Sequence, residues 1–183
     1  MNFVACIKGL FAASVMAVTL LGANGALAQD AATVAPLAPI EGTWRTLNGA
    51  EITVAACPTG FCGTMSWVLI PQAQADICRS IPHADFAQLM VDMKNPDKSQ
   101  QTRPILGMQM MTIPPSNDPT AYTAKIYNAQ DGSTNDINVW IVNDGATMRI
   151  GGGCLGAVCV VTQDWPKVPP RDPSPDFSCE GGE

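Results

Sequence analysis

Histidine is nearly missing from this 183-residue chain: His83 is the only one. That weakens both zinc ligation and histidine-based catalysis, since no serine or cysteine nucleophile motif accompanies it. His83 follows Pro82 and reads as a solvated residue at a helix boundary. Basic residues are scarce too, ten against sixteen acids, for a net charge of −6. A chain of this sign is a poor partner for nucleic acid or an anionic membrane surface. The acids are scattered singly, which marks a solvated surface rather than an acidic binding patch. Gly151-Gly152-Gly153 lacks a following Lys-Ser or Lys-Thr and a helix pattern. It is therefore no phosphate loop, and a strand bend or bulge is expected. No internal repeat is present.

The long apolar run lies near the N-terminus, roughly Gly9 to Leu21, and is shorter than the roughly 18 residues of a membrane span. Lys8 precedes it and Ala26-Leu27-Ala28 follows as a small-x-small signal. Residues 1–28 are thus expected to be a secretory signal peptide cut between Ala28 and Gln29. Cys6 lies upstream of the apolar run, away from the cut, so no lipid anchor and no stable membrane attachment are expected there. Lys8 is the only charge of this leader, leaving nine bases and sixteen acids in the mature chain. What remains suits one domain with a real core. Its destination is the periplasm or the extracellular space.

Six cysteines follow the cut: Cys57, Cys62, Cys78, Cys154, Cys159 and Cys179. An even count in an exported chain argues for disulfides, with zinc ligation the sharper but disfavoured alternative. The two Cys-x4-Cys pairs, Cys57/Cys62 and Cys154/Cys159, read as local clips, which leaves Cys78 with Cys179. That last bridge closes the longest loop and in the chain-entropy picture stabilises most, by about 4–5 kcal/mol.

Residues 29–39 are Ala- and Pro-rich and read as a flexible arm. The domain runs from 40 to 167. Ile40–Thr46 is strand-like, and Asn48-Gly49 is a hairpin signal that suits a type I′ turn. Ile52 and Val54 alternate with polar neighbours up to Cys57. Cys62–Ile70 alternates Met65, Trp67 and Leu69 against Thr64, Ser66 and Val68. Residues 71–101 break this rhythm. Within them Phe86, Leu89, Met90 and Met93 share one face of a single expected helix over Ala84–Met93. Strands resume at Ile105–Thr112, Ala121–Tyr127, Ile137–Val142, Thr147–Gly151 and Cys159–Trp165, separated by Asp131-Gly132 and Asn143-Asp144-Gly145. The Pro-rich tail, 168–183, should be extended and irregular until Cys179 staples it. The sum is an all-β chain: an eight-stranded antiparallel up-and-down barrel with one short helix between strands 3 and 4. A β-sandwich is the alternative.

A few residues could carry chemistry. Trp44 in Glu41-Gly42-Thr43-Trp44-Arg45 can plug one end of a barrel, with Arg149 as its stacked cation. Strand parity opposes that pairing, because Arg149 alternates with Met148 and Ile150. Asn95, Asp97 and Arg103 form the densest run of special residues. Asp97 and Arg103 could pair across a turn, or the run could be helix stop and turn chemistry. Lys125 and Tyr127 share a strand face but lack a catalytic partner at fixed spacing. The cluster of Met90, Met93 and Met108–Met111 is better suited to adaptable packing than to copper.

Gly42-Thr43-Trp44-Arg45, Cys57, Phe61-Cys62-Gly63, Trp67 and Pro71 resemble the opening of a bacterial secreted family, the domain of unknown function 2147. Asn95-Pro96-Asp97, Arg103-Pro104-Ile105-Leu106-Gly107, Lys125-Ile126-Tyr127, Asp131-Gly132, Arg149-x-Gly151 and Thr162-Gln163-Asp164-Trp165 continue the resemblance over roughly residues 40–167. It implies a lipocalin-like barrel whose interior can hold a small, largely apolar molecule, and it supplies no activity. The chain departs from the pattern in the longer 72–94 segment with Cys78, in Asn128-Ala129 after Tyr127, and in its added cysteines.

The resulting expectation is an exported binding protein for an apolar or amphipathic small molecule, with no cofactor, no metal and no enzymatic activity. The ligand candidates are Trp67, Asn95, Asp97, Arg103, Met108, Lys125, Tyr127 and Trp140. The alternative is an envelope interaction protein with a solid barrel core. Catalysis would need Arg149, Lys125, Tyr127 and Asp97 to converge inside the barrel.

Overall fold

The computed structural model describes residues 36–156, 158–172 and 174–182, with the last three as backbone. The expected leader and residues 29–35 lie outside the described residues.

Period-two alternation produces the strands β1 (Gly42–Arg45), β2 (Glu51–Cys57), β3 (Gly60–Pro71), β4 (Gln109–Ile113), β5 (Ala121–Asn128), β6 (Ser133–Val142), β7 (Thr147–Leu155) and β8 (Val158–Val168). Each pairs antiparallel with the next. Closure comes from β1 on β8 through Thr43↔Val168 and Trp44↔Lys167. The result is the expected eight-stranded up-and-down barrel. Ile52, Val54, Ile137, Val139, Ile141, Met148 and Ile150 point inward from alternating positions. Each such side chain contributes about 1.5–3 kcal/mol on burial.

One end of the barrel is packed solid. Ile40, Trp44, Ile113, Val139 and Met148 have no exposed surface there. Trp44 Nε1 donates to the Ile40 carbonyl at 2.9 Å. The cation over its ring is Lys167, whose Nζ lies 5.0 Å from the centroid. Arg149 is not the partner that the sequence reading named. Met148 and Ile150 point inward, so Arg149 points out and forms a two-pronged pair with Asp164 at 2.7 and 2.8 Å. Lys167 shares the inward face of Trp165 and stands directly across from Trp44.

The Asn48-Gly49 hairpin is not of type I′. Only Gly49 has positive φ, at 86°, and its N–H donates to Thr46 O at 3.0 Å. One left-handed residue after a tight turn is the three-residue loop, which glycine permits without steric cost.

Between β3 and β4 lie two helices where one was expected, α1 (Gln72–Ser80) and α2 (His83–Leu89). The first buries only Ala75 and Cys78, too few to give a helical stripe. The second stops at Leu89 because Met90 leaves helical geometry and Val91 bridges Pro104. Phe86 is buried as expected, but Leu89 and Met93 are exposed.

The tail is more ordered than its prolines imply. Asp176–Gly182 forms β9, parallel to the second half of β3. Phe177 joins Ile70, Cys78 and Phe86 in a second apolar cluster. Arg171 stacks on Trp67 at 4.0 Å and reaches Glu51 Oε1 at 3.1 Å, a carboxylate also held by Arg45 at 2.9 Å. The disulfides are Cys57–Cys62, Cys154–Cys159 and Cys78–Cys179, the pairing that the spacing predicts.

Candidate functional site at the open end of the barrel

Opposite the Trp44 plug the barrel is hollow. A cavity of about 660 Å³ runs inward from the β1–β2 and β5–β6 turns. That volume falls among small-molecule pockets, about 300–1,000 Å³. Its walls are Ile52, Met65, Met110, Ile137, Ile150 and Trp165, inward positions of six strands. Polar groups come from Gln163 and Asn135 on strands, from Tyr127, and from Asn48, Asn128 and Gln130 at the rim. Trp165 Nε1 donates to Gln163 Oε1 at 3.0 Å, so the deep indole N–H is satisfied. Among the described residues, no charged side chain lines the cavity.

One wall is held by a buried carboxylate. Asp92 has no exposed surface. Its Oδ1 accepts from the Tyr127 hydroxyl at 2.6 Å, and its Oδ2 accepts from Asn95 Nδ2 at 2.7 Å and an Arg103 guanidinium nitrogen at 3.0 Å. Burial alone would lift the Asp92 carboxyl. The hydrogen bonds from Asn95, Tyr127 and Arg103, with the Arg103 charge, outweigh burial and hold the group below the ordinary carboxylate value. Burial pushes the Tyr127 phenol up to about 12, aided by the hydrogen bond and charge of Asp92. Backbone bonds complete the latch: Asp92 N–H to Arg103 O at 2.9 Å and Ile105 N–H to Met90 O at 2.8 Å. The latch pins segment 90–107 against β5, so Ile105 faces the cavity. Gly132 approaches this segment so closely that an added Cβ would lie 1.9 Å from Lys94 O.

The sequence candidates divide by position. Tyr127 belongs to both latch and cavity. Asn95 and Arg103 meet at Asp92, outside the cavity lining. Asp97 does not pair with Arg103. It accepts from the Ser99 hydroxyl at 2.7 Å and the Ser99 N–H at 2.9 Å, capping the short turn Lys98–Gln100, and these two hydrogen bonds lower its carboxyl value. Met108 is buried in the main core. Lys125 lies on the outer face with Asp136 at 2.7 Å. Trp140 faces outward across from Arg149, and Trp67 lies under Arg171. Arg149, Lys125, Tyr127 and Asp97 therefore do not converge. Sequence reasoning missed Asp92, which sits inside the helical-looking run 84–93. It also missed Gln163 and Trp165, whose shared inward parity was a usable signal. Among the described residues, no group of three or more His, Cys, Asp or Glu could hold a metal ion.

This arrangement can enclose a small neutral molecule against apolar walls and offer it amide hydrogen bonds. The comparisons agree at the level of fold. A search of curated proteins finds no match. Among solved structures, a protein from the human pathogen Helicobacter pylori, HP1028, described as belonging to the lipocalin family, matches with a TM-score of 0.51 at 16% identity, over 70% of this chain and 82% of that one. The family model described as an uncharacterized protein conserved in bacteria (DUF2147) matches residues 42–167. The chain therefore belongs to that bacterial family, DUF2147, and carries it on a lipocalin-like barrel.

Proposed function

We propose that this protein is exported and carries a small, neutral, largely apolar molecule in its barrel. The observation that carries the reading is the cavity itself: ligand-sized, open at one end, apolar along its walls and, among the described residues, free of charged side chains. An anionic headgroup or carboxylate finds no cation there, so the polar part of the ligand should be uncharged. Three disulfides support an oxidising compartment. Among the described residues no helix is long and apolar enough to cross a membrane. We read the site as binding rather than catalytic, because its lining offers no acid–base pair beyond the phenol of Tyr127, which is committed to Asp92.

Gly152 provides the test. It lines the cavity, and an added Cβ there meets nothing within 4 Å. Gly152→Trp should project an indole into the cavity while the barrel still folds. Wild-type protein should bind a neutral naphthylamine probe and show a co-purified small molecule in native mass spectra. The variant should lose both while keeping its far-ultraviolet spectrum. Equal probe binding by the two proteins, or none by wild type, would refute the reading.

A further inference from the structure

The β7–β8 hairpin leaves the barrel. β6 pairs with β7 only as far as Ile137↔Gly152, although β6 itself begins at Ser133. Beyond that point β7 and β8 pair only with each other, out to Leu155↔Val158, and Cys154–Cys159 staples them. On its other side β8 meets β1 only at Lys167 and Val168. Among the described residues, no strand pairs with that side of Val158–Pro166. A free edge of this length presents unpaired N–H and C=O groups, and proteins normally guard such edges with lysine, proline or an inward charge. Here the guard is missing. From Ile150 to Gln163 the chain carries no charged residue. Instead Leu155, Val158 and Val160 are 89%, 76% and 84% exposed.

We propose that this edge is a homodimer contact, in which β8 of two copies pair antiparallel about a two-fold axis. The edge is self-complementary. With Val160 opposite its own mate, Val158 faces Thr162 of the second copy and Cys159 faces Val161. Leu155, the cross-strand neighbour of Val158, then extends the same apolar face. The first charge along the strand is Asp164, which falls beyond the paired stretch and is already neutralised by Arg149 within its own chain. Two chains of net charge −6 thus meet where neither carries charge. An isologous strand pair also satisfies the edge backbone groups of both copies at once. A lipid surface would cover the side chains but leave those groups without partners.

Sedimentation velocity of the mature full-length protein over a concentration series tests this. Wild type should dimerise. Val160→Lys and Val158→Lys, both at exposed positions, should keep the wild-type far-ultraviolet circular dichroism and raise the dimer dissociation constant at least tenfold. Thr123→Lys, on the outer face of β5, should change nothing. A wild type that stays monomeric throughout, or a Val160→Lys dimer as tight as wild type, overturns the proposal. So does a monomer that floats with phosphatidylcholine vesicles and loses that behaviour in Val160→Lys, an outcome that assigns the hairpin to lipid.

Discussion

Tyr127→Phe removes one oxygen atom and isolates the Asp92 latch. The ring stays in place, but Asp92 Oδ1 loses its donor at 2.6 Å in a site without solvent exposure. A hydrogen bond to a charged group is worth about 1.5–3 kcal/mol, and the carboxylate cannot recruit bulk water to replace it. Burial, with the hydrogen bond and charge of Asp92, holds the phenol in its neutral, donating form up to about pH 12. Loss of that bond should therefore cost about 2 kcal/mol, or about 4–8 °C in melting temperature for a domain of this size. The pH dependence is the sharper readout. The folded value lies above the unfolded one, so the stabilisation is whole below pH 10 and fades as pH climbs toward 12. Asp92 behaves in the opposite sense. Its folded value is depressed, so its contribution is present above the unfolded carboxylate value and is lost as pH falls through the folded one. Thermal melts of wild type and variant from pH 6 to 12 should therefore show a constant gap up to about pH 10 that narrows above it. A variant as stable as wild type at pH 7, or a gap unchanged at pH 12, would refute the latch.

Two further outcomes follow from the plug and the staples. Lys167→Met should shift the indole N–H resonance of the buried Trp44, whereas Arg149→Met should leave that resonance in place, because its partner is the surface Asp164. Replacing Cys78 and Cys179 together by serine should cost more stability than replacing Cys57 and Cys62. The loops closed are 101 and 5 residues apart in sequence, which the chain-entropy model converts to about 4.7 against about 2 kcal/mol. Denaturant melts of the two double variants check the order.

The barrel was legible because its physics is local. Alternation along Ile137–Val142 and Thr147–Gly151 needs no knowledge of the partner strand, and parity alone already opposed an inward Arg149. Elements that depend on distant partners were not legible. Helix α1 has no apolar stripe, since Cys78 is covered by a tail that arrives a hundred residues later. β9 has prolines before it and a parallel neighbour at the far end of the sequence. Asn95, Arg103 and Tyr127 were each visible as polar candidates. Their meeting point, Asp92, was hidden among residues with helical spacing. Whether the interior was hollow could not be read either. The same residue types, Ile, Met and Trp, pack the plug solid and line the cavity.

The long Cys78–Cys179 bridge sets an order of assembly. A chain made from its N-terminus at about 5–20 residues per second presents Cys78 for roughly 5–20 s before Cys179 exists, given their separation of 101 residues. All four of the clip cysteines, Cys57, Cys62, Cys154 and Cys159, are made before Cys179, and in an oxidising compartment any of them can capture Cys78 in a wrong bridge. Correct maturation therefore depends on the two short clips closing quickly, or on an isomerase undoing their mistakes. Cys179 is the last cysteine of the chain, so the bond that fixes β9 over β3 can close only after every strand of the barrel has been made.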